Sequence, residues 1–105
     1  MIENDKRIAE ELKKRLSEVV QIVDVKVFGS RARGDADEFS DLDVFLEVES
    51  LDRSLKEQVF DIVWEVGFEN HLVISPLIFT RDEIENTPLR SSPIVKNIAE
   101  EGIGI

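Results

Sequence analysis

Between Asp41 and Glu49 the chain alternates without a break: Leu42, Val44, Leu46 and Val48 point one way, Asp41, Asp43, Phe45 and Glu47 the other. A period of two is the mark of a strand with one buried face, and a slip of one residue would exchange the two sets, so the register of any sheet containing it is fixed. The neighbouring segments supply the rest of that sheet and its cover. Ile8, Leu12, Leu16 and Val19 recur at helical spacing, with Ala9 beside them, and predict an amphipathic helix. Ile22 to Phe28 is a short β-branched run, read as a buried strand that ends at Gly29-Ser30, and a loop from Arg31 to Ser40 follows. Leu51, Leu55, Val59, Ile62 or Val63, and Val66 form a second helical stripe that includes Trp64, with Gly67 expected as its C-cap. His71 to Thr80 reads as a third strand, in which Ser75-Pro76 predicts an edge position or a bulge.

Asp82 to Asn86 suggests a turn of helix, and Ser92-Pro93 an N-cap with proline at the first helical position, opening a last helix through Ile94, Val95 and Ile98 that ends near Gly102. The tail Ile103 to Ile105 fits a frayed end, a docking segment or an extension of the sheet. The order α-β-β-α-β-α predicts a small α/β (α+β) domain, a mixed sheet flanked by helices, with residues 1–105 as a single domain around one core.

The chain carries a formal charge of −10, which argues against a nucleic-acid clamp or an anionic-lipid surface, since a surface of that sign repels phosphate. Zero cysteines exclude disulfides and cysteine-held zinc, in keeping with a cytoplasmic protein. No apolar run approaches a membrane span, and Met1 to Arg15 has neither signal- nor transit-peptide character. Asp35, Asp37, Glu38, Asp41, Asp43, Glu47, Glu49 and Asp52 fall in one window without a base. Like charges repel by about 4 kcal/mol per pair at ~4 Å when the effective dielectric is ~20. Either water solvates such a rim or a cation offsets part of it.

Val25 to Leu46, VKVFGSRARGDADEFSDLDVFL, is where chemistry concentrates. Gly29 permits a sharp turn that lets a phosphate reach backbone N–H groups. Ser30 adds a hydroxyl and a cap for a short helix. Arg31 and Arg33 are candidates for phosphate contact, with local neutralisation of Asp35, Asp37 and Glu38 as the alternative. Asp41 and Asp43, two apart on a strand, project from one face and suit a shared magnesium ion that bridges triphosphate oxygens.

Gly29-Ser30, ten residues, then Asp41-Leu42-Asp43 matches the GS-X10-DXD signature and resembles the DNA polymerase β-like nucleotidyltransferase superfamily. The string GSRARGDADEFSDLDVFLEVE is similar to its smallest branch, the minimal nucleotidyltransferases, antitoxin-type partners of HEPN-domain proteins. The resemblance implies a nucleotidyltransferase fold, ATP as substrate and Mg2+ as cofactor. It assigns Gly29 and Ser30 to the triphosphate, and Asp41 and Asp43 to metal and catalysis. It further implies transfer of AMP to a hydroxyl acceptor, a side chain on a HEPN-type toxin, and with it a homo- or hetero-oligomeric assembly.

The pattern departs from the family in the third strand, where active members present a third carboxylate. HLVISPLIFT contains none: Ser75 occupies the corresponding place, Glu69 precedes the strand, and Asp82 and Glu83 follow it. Glu47 lies four residues beyond Asp43, roughly 13 Å along a strand, too far to share a metal. A second reading is therefore a nucleotide-binding antitoxin, catalytically impaired, that neutralises its partner by docking. Transfer to a small molecule is a third, disfavoured by the lack of a second domain. His71 reads as a strand-end surface residue, and Trp64 as core or partner surface rather than a stacking platform for adenine.

Overall fold

The computed structural model describes residues Met1–Ile105 in full. The elements are α1 (Glu3–Leu16), β1 (Ile22–Phe28), α2 (Gly29–Arg33), β2 (Leu42–Val48), α3 (Arg53–Glu69), β3 (Ile74–Thr80), α4 (Arg81–Asn86), a 3-10 turn over Pro88–Ser91, α5 (Pro93–Glu101) and β4 (Ile103–Gly104). One four-stranded sheet has the order β3-β2-β1-β4. The β1 strand runs antiparallel to both β2 and β4, whereas β2 and β3 are parallel, as the connection through α3 requires. Pro76, which has no N–H to donate, sits on the edge strand β3 opposite Val44.

The alternation in β2 settles which face is covered. Leu42, Val44, Leu46 and Val48 are fully buried in one cluster with Ile8, Leu12 and Leu16 of α1, Val25 and Val27 of β1, and Val59, Val63 and Val66 of α3. On the opposite face Phe45 meets Phe79, ring centroids 6.1 Å apart, and α5 lies against β1 with Val95 and Ile98 buried. No helix is long and apolar enough to cross a membrane.

Three local expectations change. Gly29–Arg33 forms a five-residue helix, so the loop begins only at Gly34. The tail, for which the sequence allows three readings, pairs with β1 at Lys26 and Val27 and extends the sheet. Gly67 does not cap α3. The helix runs on to Glu69 and is capped by Asn70, while Gly67 is buried and accepts from the Leu72 N–H at 3.0 Å. A Cβ on Gly67 would come within 2.7 Å of the Leu72 carbonyl oxygen, so glycine there serves the close return of the chain onto the helix. The left-handed turn falls instead on His71, at φ 57, and the third strand starts only at Ile74.

Candidate active site

The site forms where β1 ends against β2. Phe28 is the register partner of Asp43, so the turn after Phe28 stands beside that carboxylate. Gly29 has φ +74, and a Cβ built on it would overlap Asp43 Oδ2. A side chain at this position would face both a left-handed strain and a clash, so the glycine is what lets the turn close onto the acid. Phe28, rather than Ser30, takes the N-cap position of α2. Ser30 lies in the first turn, and no side chain caps that end. The first-turn N–H groups are thus left without side-chain acceptors.

Asp41 precedes β2 and is exposed, and Asp43 is half-buried on the strand. Burial, then the Asp41 charge, push the Asp43 carboxyl above its ordinary value, and Arg33 partly offsets them. The folded state therefore favours the protonated form. Its penalty is absent below the unfolded pKa, grows as pH rises through the folded one, and is fully present at neutral pH. Asp43→Asn is expected to raise the thermal midpoint by a few degrees near pH 7. The gain should vanish near pH 3, and melting curves at both pH values check the sign.

Across the parallel ladder, Asp43 is in register with Ser75. The Ser75 hydroxyl donates to Asp41 Oδ2 at 2.9 Å. The third strand thus presents a hydroxyl, and no carboxylate, to the pair. Glu69 is bound to Arg15 at 2.7 Å, Asp82 accepts from Asn86, and Glu83 closes a capping box with Thr80. No group of three or more acids, histidines or cysteines stands ready to hold a metal.

The two arginines separate. Arg33 stays exposed, 3.2 Å from Asp35, and its charge is felt at Asp43. Arg31 turns inward: its Nη1 donates to both Asp5 oxygens at 3.0 and 3.1 Å, and its Nε donates to the Ser40 carbonyl at 2.8 Å. Both members of the pair are buried, Asp5 at 3% exposure and Arg31 at 9%. The expectation that Arg31 contacts phosphate is corrected here. Its donors are spent on tying the loop before Asp41 to α1, and nor does it neutralise the acids of that loop. Sequence reasoning missed Asp5 altogether, although it lies on the stripe of Ile8, Ala9 and Leu12, a telling place for an acid.

Trp64 is not in the core; it is 67% exposed and stacks on Phe68. His71 is exposed at the rim of the same surface.

Residues 6–105 match the family model described as nucleotidyltransferase domain. The chain belongs to that family. A relative from Methanocaldococcus jannaschii, named "Putative protein adenylyltransferase MJ0141", is 34% identical over 89 residues, covering 75% of this chain and 90% of that protein. Two solved structures share the fold. One, described as a toxin-antitoxin with AMP-PNP, is superposed with a TM-score of 0.56 at 17% identity, covering 90% of this chain and 70% of that one. The other, a mutant of the toxin-antitoxin MntA-HpeT, gives 0.55 at 16%, covering 99% and 71%. The mixed sheet flanked by helices is the nucleotidyltransferase fold, and membership is consistent with the minimal branch that the GS-X10-DXD string resembles.

Proposed function

We propose that this nucleotidyltransferase domain, residues 1–105 acting as one unit in the cytoplasm, binds MgATP and transfers AMP to a hydroxyl of a partner protein, as the antitoxin of a HEPN-domain toxin. The observation that carries the reading is the contact between the Gly29 turn and Asp43, which sets open backbone N–H groups beside two carboxylates. The name of the archaeal relative and the description of the structural neighbours support a protein acceptor in a toxin-antitoxin setting.

The donor set fits one hard cation. Two carboxylates two residues apart on one side of the strand, with the Ser75 hydroxyl beside them, form the kind of partial shell that magnesium completes with water and phosphate oxygens. When bound, magnesium would be held by Asp41 and Asp43 and would neutralise charge on the triphosphate. The Gly29-Ser30 turn would hold the phosphates and Arg33 would add a mobile positive charge. The acceptor oxygen forms a bond to the α-phosphorus, the bond from that phosphorus to the bridging oxygen breaks, and pyrophosphate leaves. With no third carboxylate facing the pair, the acceptor proton passes to water, and turnover is slow. Ser75 favours a second reading, in which MgATP binds without turnover and neutralisation comes from docking.

One experiment separates them. Labelled ATP with magnesium and the proposed HEPN-domain partner should label that partner, and Asp41→Ala/Asp43→Ala should reduce labelling by about 100-fold or more, the scale of lost charge stabilisation in a site of this type. Labelling that survives the double variant would sink the mechanism. Calorimetric MgATP binding with no labelling, and neutralisation that tolerates the double variant, would establish the docking reading instead.

A further inference from the structure

Helix α3 buries Val59, Val63 and Val66 and turns a second apolar line outward. Phe60, Trp64 and Phe68 recur every four residues on that line and are 40, 67 and 68% exposed. Trp64 and Phe68 stack, centroids 5.1 Å apart and planes 10° from parallel. Beside them lies a groove of about 490 Å³ whose far wall is His71, Leu72 and Val73, the last 63% exposed. Contiguous aromatic surface of this kind is costly to leave in water and marks an interaction site.

Charge selects the occupant. Glu57, Asp61 and Glu65 are exposed and stand three residues before each ridge aromatic, so an acidic line runs along the aromatic one. Only Glu57 is paired, with Arg53 at 3.6 Å. A second copy of the chain would bring the same acids and a charge of −10 to the contact. A basic segment would find both apolar anchors and counter-ions, and the ridge already accepts one cation, Lys56 Nζ lying 5.9 Å from the Phe60 ring centroid. The four-residue repeat matches the i, i+4 anchors of a helix.

We propose that the ridge and groove of α3 dock a basic amphipathic helix of another protein. The surface leads into the site: the Val73 carbonyl accepts the Leu42 N–H at 2.9 Å, and two residues further Ser75 touches Asp41. That the docked segment brings an acceptor to Asp41 and Asp43 rests on the proposed transfer; the docking itself does not.

The test uses two synthetic amphipathic helices of one length and pattern, one of Leu and Lys, the other of Leu and Glu. Trp64 is the sole tryptophan, so its emission reports the ridge directly. The Leu/Lys peptide should shift the emission to the blue and saturate, and the Leu/Glu peptide should not. Phe68→Ser should weaken Leu/Lys binding by about tenfold or more, whereas Ile2→Ser, at an apolar position 61% exposed on α1's leading end, should not change it. Asp61→Lys/Glu65→Lys should transfer the preference to the Leu/Glu peptide. Equal binding of the two peptides, equal effects of Phe68→Ser and Ile2→Ser, or a dimer that buries Trp64 without peptide would overturn the proposal. MgATP calorimetry on the same samples keeps the outcomes apart, since lost nucleotide binding with intact peptide binding counts against the proposed function alone.

Discussion

Arg31→Met is expected to destabilise the fold by about 3–5 kcal/mol, because it leaves the Asp5 carboxylate buried without its only cation. A domain of this length has about 5–15 kcal/mol in total. The loss should therefore lower the thermal midpoint by more than about 12 °C and bring the protein near its threshold. Asp5→Leu alone should be similarly harmful, since the guanidinium would then be the stranded charge. Asp5→Leu/Arg31→Met should recover most of the stability, as apolar pairs of similar volume often replace buried ion pairs without cost. MgATP binding should not recover with it. The Arg31 bond to the Ser40 carbonyl, one residue before Asp41, is lost in the double variant, so the loop that presents Asp41 loses its anchor. A double variant that melted like Arg31→Met would show that the loop contacts, rather than the pair, carry the energy. One that bound nucleotide normally would show that Arg31 serves stability only.

The same pair shows where reading the sequence succeeds and where it stops. The spacing from Gly29-Ser30 to Asp41 and Asp43 was legible because it is local: two strands joined by one excursion, with side-chain direction fixed by the period of two. The lack of an acid in the third strand was legible too, because the segment's own residues show it and the family pattern points to Ser75; the structure then sets Ser75 in register with Asp43. Arg31 was misread since its partner is 26 residues away on another element. Nothing in the loop's own composition, rich in nearer acids, points to Asp5. The clue lay in α1, where an acid on an apolar stripe demands a buried counter-charge.

Gly67 misled for a similar reason. A glycine near the end of a helical stripe resembles a cap, and only the returning chain at Leu72 shows that the space, not the backbone angle, was needed. The β4 strand is two residues long, too short for any periodicity to announce it, and it is held by the length of β1 left beside it. The outward ridge was hidden because Phe60, Trp64 and Phe68 are interleaved with the core stripe of the same helix, so that α3 looks apolar on more than one side. The amphipathic rule assumes that every apolar line meets the protein's own core, and α3 breaks it.

Ser75→Asp puts the catalytic question directly. Ser75 and Asp43 are register partners on adjacent parallel strands, about 5 Å apart, and the hydroxyl already reaches Asp41 at 2.9 Å. A carboxylate at this position would face both existing ones. Without divalent cations the variant should melt below the wild-type chain, because three acids then repel at one site and the donor to Asp41 is gone. Magnesium should reverse the order, stabilising the variant more than the wild type, since each added carboxylate strengthens the shell around a hard cation. Transfer of AMP to the partner should rise by about 100-fold, the lower end of what a positioned general base contributes, as the acceptor proton would no longer pass to water. A variant that gained magnesium affinity without turnover would place the block elsewhere than the missing acid, and the docking reading of the protein would then stand. A variant that gained neither would mean that the β3 position does not share a centre with Asp41 and Asp43, against the register. Ser75→Ala separates the two roles of the native residue, because it removes the bond to Asp41 without adding charge, and its effect on MgATP binding measures what that bond contributes to holding Asp41 in place.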